Sequence, residues 1–93
     1  VSNGVFSDVN LKGTAFKDCQ ISDCDFIKTN LTEVNFDSCD LKGSTFENCE
    51  LTSTSFKGSK NYSINPNKNY LKKTKFSFPE VVSLLDCFDI EIE

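Results

Sequence analysis

The chain has 93 residues, of which 26% are charged, and its net charge is −4 with ten Lys and no Arg. This length allows one small domain, and the acidic balance excludes a basic nucleic-acid-binding protein. No apolar run approaches the roughly 18 residues of a membrane span. Because the sequence starts at Val1 and lacks Met, we expect a processed product or a piece of a longer protein.

A five-residue repeat dominates the first two thirds of the chain. Every fifth residue is Phe, Leu or Ile, and the residue two places earlier is small or compact. Neither the 3.6-residue period of a helix nor the two-residue period of a strand accounts for this spacing. The large residues are Phe6, Leu11, Phe16, Ile21, Phe26, Leu31, Phe36, Leu41, Phe46, Leu51 and Phe56.

The repeat predicts a narrow coil with four sides. The large and compact residues must both face the interior, so the chain has to turn at each block. Phe opens every second block, which favours an even number of blocks per coil, and we expect four blocks to close one coil. Successive coils would then stack as parallel ladders about 4.8 Å apart, with Phe26 above Phe6 and Phe36 above Phe16.

Blocks such as Cys39–Gly43 (CDLKG) and Val34–Ser38 (VNFDS) resemble the motif of the pentapeptide repeat family. The resemblance covers residues 4–58. It implies an all-β solenoid, namely a right-handed quadrilateral parallel β-helix.

The repeat is interrupted over residues 58–69, which we interpret as an irregular excursion. Steps of five from Phe56 reach Asn61 and Pro66 before the pattern returns. We expect Tyr62 and Ile64 to fill the two missing core positions. Leu71 and Phe76 then complete the last coil, so the predicted β-helix spans residues 1–76.

Residues 77–93 form a second unit by their pattern. The sequence Ser77-Phe-Pro-Glu80 predicts a capping box that starts an α-helix over residues 77–88. Residues 89–93 alternate between acidic and apolar side chains, which is typical of a short strand. Because a solenoid needs its open end covered, we expect this helix to cap the last coil. Its apolar stripe is Phe78, Val81, Val82, Leu84, Leu85 and Phe88.

The stripe is wider than the end of one coil requires, so we expect a homodimer formed through the helix. A monomer in which the stripe only caps the coil is the alternative. The candidate interface residues are Val81, Val82, Leu84, Leu85, Phe88, Ile90 and Ile92.

The segment 69–93 resembles the C-terminus of the bacterial quinolone-resistance and mycobacterial fluoroquinolone-resistance type of pentapeptide repeat protein. This resemblance implies a homodimer joined by the terminal helices. It also implies a long rod that mimics duplex DNA and binds DNA gyrase.

The charges on the outer faces of the coil test whether the chain could mimic DNA. Asp8, Asp25 and Glu47 form a candidate acidic face opposed by Lys28, whereas the other faces carry both signs. A DNA mimic would need a dense and regular row of negative charge. The sequence therefore favours a structural or protein-interaction module of unknown partner. Binding to a type II topoisomerase such as gyrase is the alternative, and we expect no nucleic-acid or membrane partner.

Five cysteines invite a metal or disulfide hypothesis. Cys19, Cys24, Cys39 and Cys49 belong to the compact series, and Cys87 lies near the end of the helix. Without a C-x-x-C motif or any His, we expect no metal and no cofactor. Buried reduced thiols and an odd count favour the cytoplasm; Cys19 and Cys39 are the pair nearest to a bridge.

Catalysis has no candidate residues in this sequence. It contains no His, and no carboxylate is expected to be buried beside a partner that would shift its pKa. We therefore expect a protein that is not an enzyme.

Overall fold

The computed structural model describes residues 3–88, 90 and 91. Within them the chain coils repeatedly, and short strands on one coil pair with strands on the next. The strands are β1 (Val5–Ser7), β2 (Asp25–Ile27), β3 (Thr45–Glu47), β4 (Ser55–Phe56), β5 (Ser63–Ile64) and β6 (Lys75–Phe76). Two 3₁₀ helices follow the regular coils, a short one at Pro66–Lys68 and the C-terminal helix at Glu80–Phe88.

Parallel pairing defines the coil. Strands β1, β2, β3 and β5 form one sheet in that order, and Phe6 pairs with Phe26, which is four blocks further along the chain. The other faces carry parallel bridges at the same separation, such as that between Asn10 and Asn30. Strand β6 returns under β4 and places Phe76 opposite Phe56. The predicted four-sided coil of four blocks is therefore confirmed.

Two columns of phenylalanine rings fill the interior. The first column is Phe6, Phe26 and Phe46, and the second is Phe16, Phe36 and Phe56. Ring centroids within a column are 4.9 to 5.2 Å apart, with nearly parallel planes. The columns meet edge to face, as between Phe26 and Phe36 at 6.1 Å, a geometry that aromatic quadrupoles favour. Phe26, Leu31 and Phe36 are buried, as predicted.

Each regular block turns at a residue with a positive φ, two places after the large residue. The turn residues include Asp8 at 55° and Asp18 at 60°, because Asp, Asn and Gly tolerate the left-handed region best. Gly43 also has a positive φ, and a Cβ there would lie 2.1 Å from the carboxylate of Asp23. This corner therefore requires glycine for space as well as for backbone conformation.

The compact positions donate hydrogen bonds as well as saving space. Their hydroxyl or thiol groups reach the backbone carbonyl of a large residue 23 positions earlier, on the preceding coil. The donor and acceptor pairs are Thr29 and Phe6, Cys39 and Phe16, Ser44 and Ile21, Cys49 and Phe26, Thr54 and Leu31, Ser59 and Phe36, and Thr74 and Leu51. We call these contacts the corner hydrogen bonds. They pair buried carbonyl groups between coils, which a purely apolar core would not do.

The irregular excursion shortens one coil and then restores its register. Ile64 pairs with Phe46, so this coil is shorter than the regular four blocks. The short 3₁₀ helix then supplies the missing length, and Tyr70 pairs with Glu50 at the regular separation. Tyr62 and Ile64 are both buried in the core, which confirms that they fill the positions left by the interrupted repeat.

The C-terminal helix differs from the prediction in type and in capping. It is a 3₁₀ helix rather than an α-helix, and the Val82 N–H donates to the carbonyl of Pro79, three positions earlier, at 3.1 Å. The predicted capping box is wrong in its donor, which was expected to be the Glu80 N–H. The Ser77 hydroxyl accepts from the Gly58 N–H at 3.0 Å, so this side chain joins the cap to the coil.

The strand predicted over residues 89–93 falls largely outside the described residues, since only 90 and 91 of that segment are described. The described residues contain no helix with the length and apolar character needed to cross a bilayer.

Candidate functional site

The C-terminal helix covers the end of the last coil. It packs against β5, and Leu84 contacts the hydrophobic core. The bond from Gly58 to Ser77 fixes the segment that leads into it. The helix therefore covers part of the core at this end, while Leu71 and Phe76 of the last coil stay half-buried.

A 3₁₀ helix aligns residues three apart, so its side chains form three edges. The inner edge is Val81 and Leu84, the cleft edge is Glu80 and Ser83, and the outer edge is Val82, Leu85 and Phe88. Leu84 packs against the core, so the inner edge faces the coil. The cleft edge lines a polar cleft beside Tyr62. On the outer edge, Leu85 is 38% exposed and Phe88 is 49% exposed. The outer edge is thus apolar without being fully covered.

The residues predicted for a dimer interface fall into three groups. Val81, Val82 and Leu84 are half-buried, and Leu84 belongs to the core contacts. Leu85, Phe88 and Ile90 are exposed. Ile92 lies outside the described residues. Phe78, just before the helix, is 83% exposed.

The candidate acidic face does not form a continuous column of carboxylates. Asp25 pairs with Val5 on one side and Thr45 on the other, and its carboxylate accepts from the Thr45 hydroxyl at 2.8 Å. Glu47 pairs with Ile27 in a different column. Its carboxylate lies 3.8 Å from the Lys68 ammonium, and both side chains are more than half exposed. Asp8 lies at a corner, so each carboxylate has separate surroundings.

Three of the four described thiols are buried, and the fourth, Cys19, is half-buried. Cys19, Cys24, Cys39 and Cys49 are free cysteines, whereas the side chain of Cys87 lies outside the described part of the molecule. Burial raises the pKa of the Cys39 thiol, and burial also raises the pKa of the Cys49 thiol. Both therefore remain protonated at neutral pH, when they serve the corner hydrogen bonds. No cluster of three or more His, Cys, Asp or Glu suited to a metal occurs in the described part of the chain.

Sequence reasoning missed the polar cleft between the coil and the cap. Asn61, Tyr62, Glu80 and Ser83 line a space of about 210 Å³. The signal available in the sequence was weak, since it consisted of polar residues three apart, Glu80 and Ser83, within an apolar stripe. Tyr62 was expected in the core, and its buried hydroxyl has no hydrogen-bond partner among the described residues.

Comparison with known proteins places the chain in a family. The profile of the pentapeptide repeat region matches residues 2–76. The chain therefore belongs to the pentapeptide repeat family, whose fold is the right-handed β-helix described above. No curated protein matches the sequence.

Solved structures with a similar fold include a trypsin-treated form of QnrB1, a plasmid-mediated fluoroquinolone resistance protein. It aligns with a TM-score of 0.52 and 16% identity, over 96% of this chain and 45% of that one. The pentapeptide repeat protein Rfr23 from the cyanobacterium Cyanothece 51142 aligns at a TM-score of 0.32 and 19% identity, over 84% of this chain and 61% of that one. This chain thus spans less than half the length of the QnrB1 structure, and the likeness concerns the fold.

Proposed function

We propose that the chain is a non-enzymatic interaction module that homodimerises through its C-terminal helix. In this proposal residues 1–76 form the β-helix, and residues 77–93 form the capping and dimerisation unit. The partner is a protein, and the free thiols favour action in the cytoplasm.

The outer edge of the helix carries the proposal. Leu85 and Phe88 are exposed, whereas Leu84 on the inner edge packs against the core. Phe78 and Ile90 extend the same kind of surface at both ends of the helix. An exposed apolar patch on a small protein usually meets a partner, and a two-fold axis lets one surface meet its own copy.

Sedimentation equilibrium of the unmutated protein at micromolar concentration is the first test, and we expect the mass of a dimer. The double variant Leu85→Asp and Phe88→Asp should sediment as a folded monomer, with an unchanged circular dichroism spectrum. Its matched control is Val5→Asp, which places a carboxylate on an exposed apolar residue in the first coil. That control should remain a dimer.

Two other outcomes are possible. A monomeric profile of the unmutated protein rules it out directly. If the double variant unfolds, the two residues belong to the cap core, and the single variant Leu85→Lys then decides by its mass whether the outer edge is an interface.

Gyrase binding is the second candidate function. It is supported by the likeness of the fold to QnrB1 and by the carboxylates Asp8, Asp25 and Glu47 on one side of the coil. These carboxylates lie in different columns of the coil, and Glu47 pairs with Lys68. Both facts weaken the analogy with the regular row of phosphates in DNA. We therefore rank it second.

A supercoiling assay with purified gyrase tests this candidate. If it is correct, the protein should inhibit supercoiling or protect it from a quinolone in proportion to concentration. The variant Asp8→Asn, Asp25→Asn and Glu47→Gln should lose the effect, whereas Glu33→Gln on another face should retain it. No effect of the intact protein on either reaction would eliminate the candidate.

A further inference from the structure

Positive charge is concentrated in the last part of the coil. Residues 1–50 carry nine carboxylates and four lysines, whereas the chain between Glu50 and Glu80 contains six lysines and no Asp, Glu or Arg. All six side chains are exposed. They are Lys57, Lys60, Lys68, Lys72, Lys73 and Lys75.

Three of these lysines have a carboxylate beside them on the preceding coil. The Lys68 ammonium is 3.8 Å from the Glu47 carboxylate, and Lys60 lies next to Asp40 in the ladder. The backbone of Lys57 also donates to a carboxylate, that of Asp37, at 3.2 Å. These positive charges are therefore balanced in part within the coil.

The other three, Lys72, Lys73 and Lys75, have no such neighbour, and we call them the lysine cluster. Lys75 pairs with Ser55, and the Lys72 carbonyl accepts from the Ser53 N–H. Among the described residues no carboxylate lies within 4.0 Å of the three ammonium groups. Like charges this close repel one another, so an anionic partner would stabilise them.

The end of the chain carries the opposite charge. Residues 86–93, here called the acidic segment, contain four carboxylates and no lysine. Glu91, which the structure describes, is exposed. No described lysine of the same copy lies within 4.0 Å of its carboxylate. Glu91 therefore does not neutralise the lysine cluster of its own copy.

We propose that the lysine cluster of one copy binds the acidic segment of the second copy. This contact rests on the homodimer proposed above and adds a charged part to its apolar surface. Lys75 precedes the C-terminal helix by five residues, and the acidic segment overlaps the end of that helix. The two charged groups thus adjoin the outer edge, and a two-fold axis forms the contact twice.

A short acidic segment fits the cluster better than a nucleic acid or an anionic membrane does. Eight extended residues reach about 27 Å, and the protein is 25 × 24 Å across its long axis, so the segment can cross one side of the last coil. A long polyanion would also meet the acidic coils and be repelled by them. The chain has no Arg, the residue that binds phosphates and base edges in a bidentate manner.

Salt dependence is the first test. Sedimentation equilibrium of the unmutated protein gives the dissociation constant of the dimer at about 0.05 M and about 0.5 M sodium chloride, because salt screens exposed charges. We expect the constant to rise at least about tenfold at the higher concentration. Apolar contacts alone do not weaken with added salt, so an unchanged constant would overturn the proposal.

Charge reversal identifies the two sides of the contact. One variant combines Lys72→Glu, Lys73→Glu and Lys75→Glu, and the other combines Asp89→Lys, Glu91→Lys and Glu93→Lys. Each alone should dimerise at least about tenfold more weakly than the parent. An equimolar mixture should dimerise like the parent, because both contacts of the mixed dimer then join opposite charges.

The matched control reverses three exposed lysines of the first two coils, with Lys12→Glu, Lys17→Glu and Lys28→Glu. It changes the net charge as much as the lysine-reversed variant does and should dimerise like the parent. Circular dichroism verifies that each variant is folded. If a reversal unfolds the chain, Lys72→Gln, Lys73→Gln and Lys75→Gln replace it, and the dimer should again weaken.

Other results would overturn the proposal. If the folded reversed variants dimerise as tightly as the parent, the lysine cluster takes no part. If the mixture stays monomeric while one chain with both sets of reversals dimerises, the acidic segment binds its own copy. If duplex DNA binds the parent but not the lysine-reversed variant, and the dimer is unchanged, the cluster serves a nucleic acid.

Failure of the contact and failure of the dimer are distinguishable. A parent that is monomeric at both salt concentrations refutes the homodimer and this contact with it. A dimer that none of the charge reversals alters refutes the contact alone.

Discussion

The thiol of Cys39 donates a hydrogen bond to the backbone carbonyl of Phe16, with 2.8 Å between the sulfur and the oxygen. The same carbonyl accepts from the Cys19 N–H at 3.1 Å. Ser44 performs the equivalent role toward Ile21 at 2.7 Å. The position therefore needs a compact donor, and cysteine is one of several residues that meet the need.

Replacing Cys39 tests this role. Cys39→Ala removes the donor and leaves the Phe16 carbonyl with one partner, whereas Cys39→Ser retains a donor of similar size. A buried hydrogen bond contributes about 1 kcal/mol net, so the alanine variant should be less stable than the serine variant by about that amount. Urea unfolding of both variants measures the difference. An alanine variant as stable as the serine variant would show that only size matters at the corner.

Thiol chemistry should follow burial. Native Cys39 and Cys49 should react with iodoacetamide at pH 8 much more slowly than the half-buried Cys19, because burial raises the pKa of both thiols. Mass spectrometry of digested protein gives the rate at each site. In denaturant without reductant, a thiol titration should recover all five cysteines. A count of three would reveal a disulfide, with Cys19 and Cys39 as the first pair to examine.

The sequence predicted the coil well because size alone determines it. One large and one compact residue in every five both fit inside a four-sided coil. The burial of Phe36 and Leu31 follows from that arrangement. Size does not indicate which carbonyl a thiol such as that of Cys39 will reach, since the acceptor lies on the preceding coil. The corner hydrogen bonds were therefore not predictable from the pattern.

The cap was harder to predict for a related reason. The stripe around Val81 fits a period of three as well as one of 3.6, so the helix type was ambiguous. Ser77 had a local partner in Glu80, but it accepts from Gly58 instead. The polar cleft joins Tyr62 to side chains of a helix that begins much later, at Glu80. Contacts of this range depend on the assembled fold.

Truncation of a core ring should unfold much of the domain. Phe36 is fully buried between Phe16 and Phe56, so Phe36→Ala should cost about 3–5 kcal/mol. Tyr70→Ala is the matched control, since Tyr70 is largely exposed and lies outside the proposed dimer surface, so its truncation should change the stability by less than about 0.5 kcal/mol. Thermal unfolding by circular dichroism compares the two. If the free energy of unfolding falls equally in Phe36→Ala and in the control, the assignment of Phe36 to the core is wrong.

Asn69 holds the irregular excursion against the coil. Its side-chain oxygen accepts from the Cys49 N–H at 2.9 Å, and its amide nitrogen donates to the Phe46 carbonyl at 3.1 Å. Asn69→Ala should lower the free energy of unfolding by about 1–3 kcal/mol, because buried backbone groups lose partners. Asn69→Thr should lose less, since a hydroxyl can still reach the carbonyl, as that of Thr74 reaches Leu51. If the free energy of unfolding falls equally in both variants, the hydrogen bond donated to the Phe46 carbonyl contributes nothing to stability.

The phenol of Tyr62 should resist ionisation in the folded protein. Burial raises the pKa of Tyr62 to about 12, and the charge of Glu80 adds to the effect. In Tyr70→Phe, where Tyr62 is the sole tyrosine, the absorbance of phenolate should therefore rise at about pH 12 in the native protein and at about pH 10 in denaturant. A rise at about pH 10 in the native variant would contradict the burial of this hydroxyl.

The Tyr62 step also has a consequence for stability. In the unfolded chain Tyr62 ionises near 10, so between pH 10 and about 12 the unfolded state binds fewer protons than the folded state. The free energy of unfolding should therefore fall across this window as pH rises, and it should be unaffected by Tyr62 below it. Tyr62→Phe should flatten that fall relative to the parent. A fall of the same steepness in Tyr62→Phe would show that groups other than this phenol govern the alkaline transition.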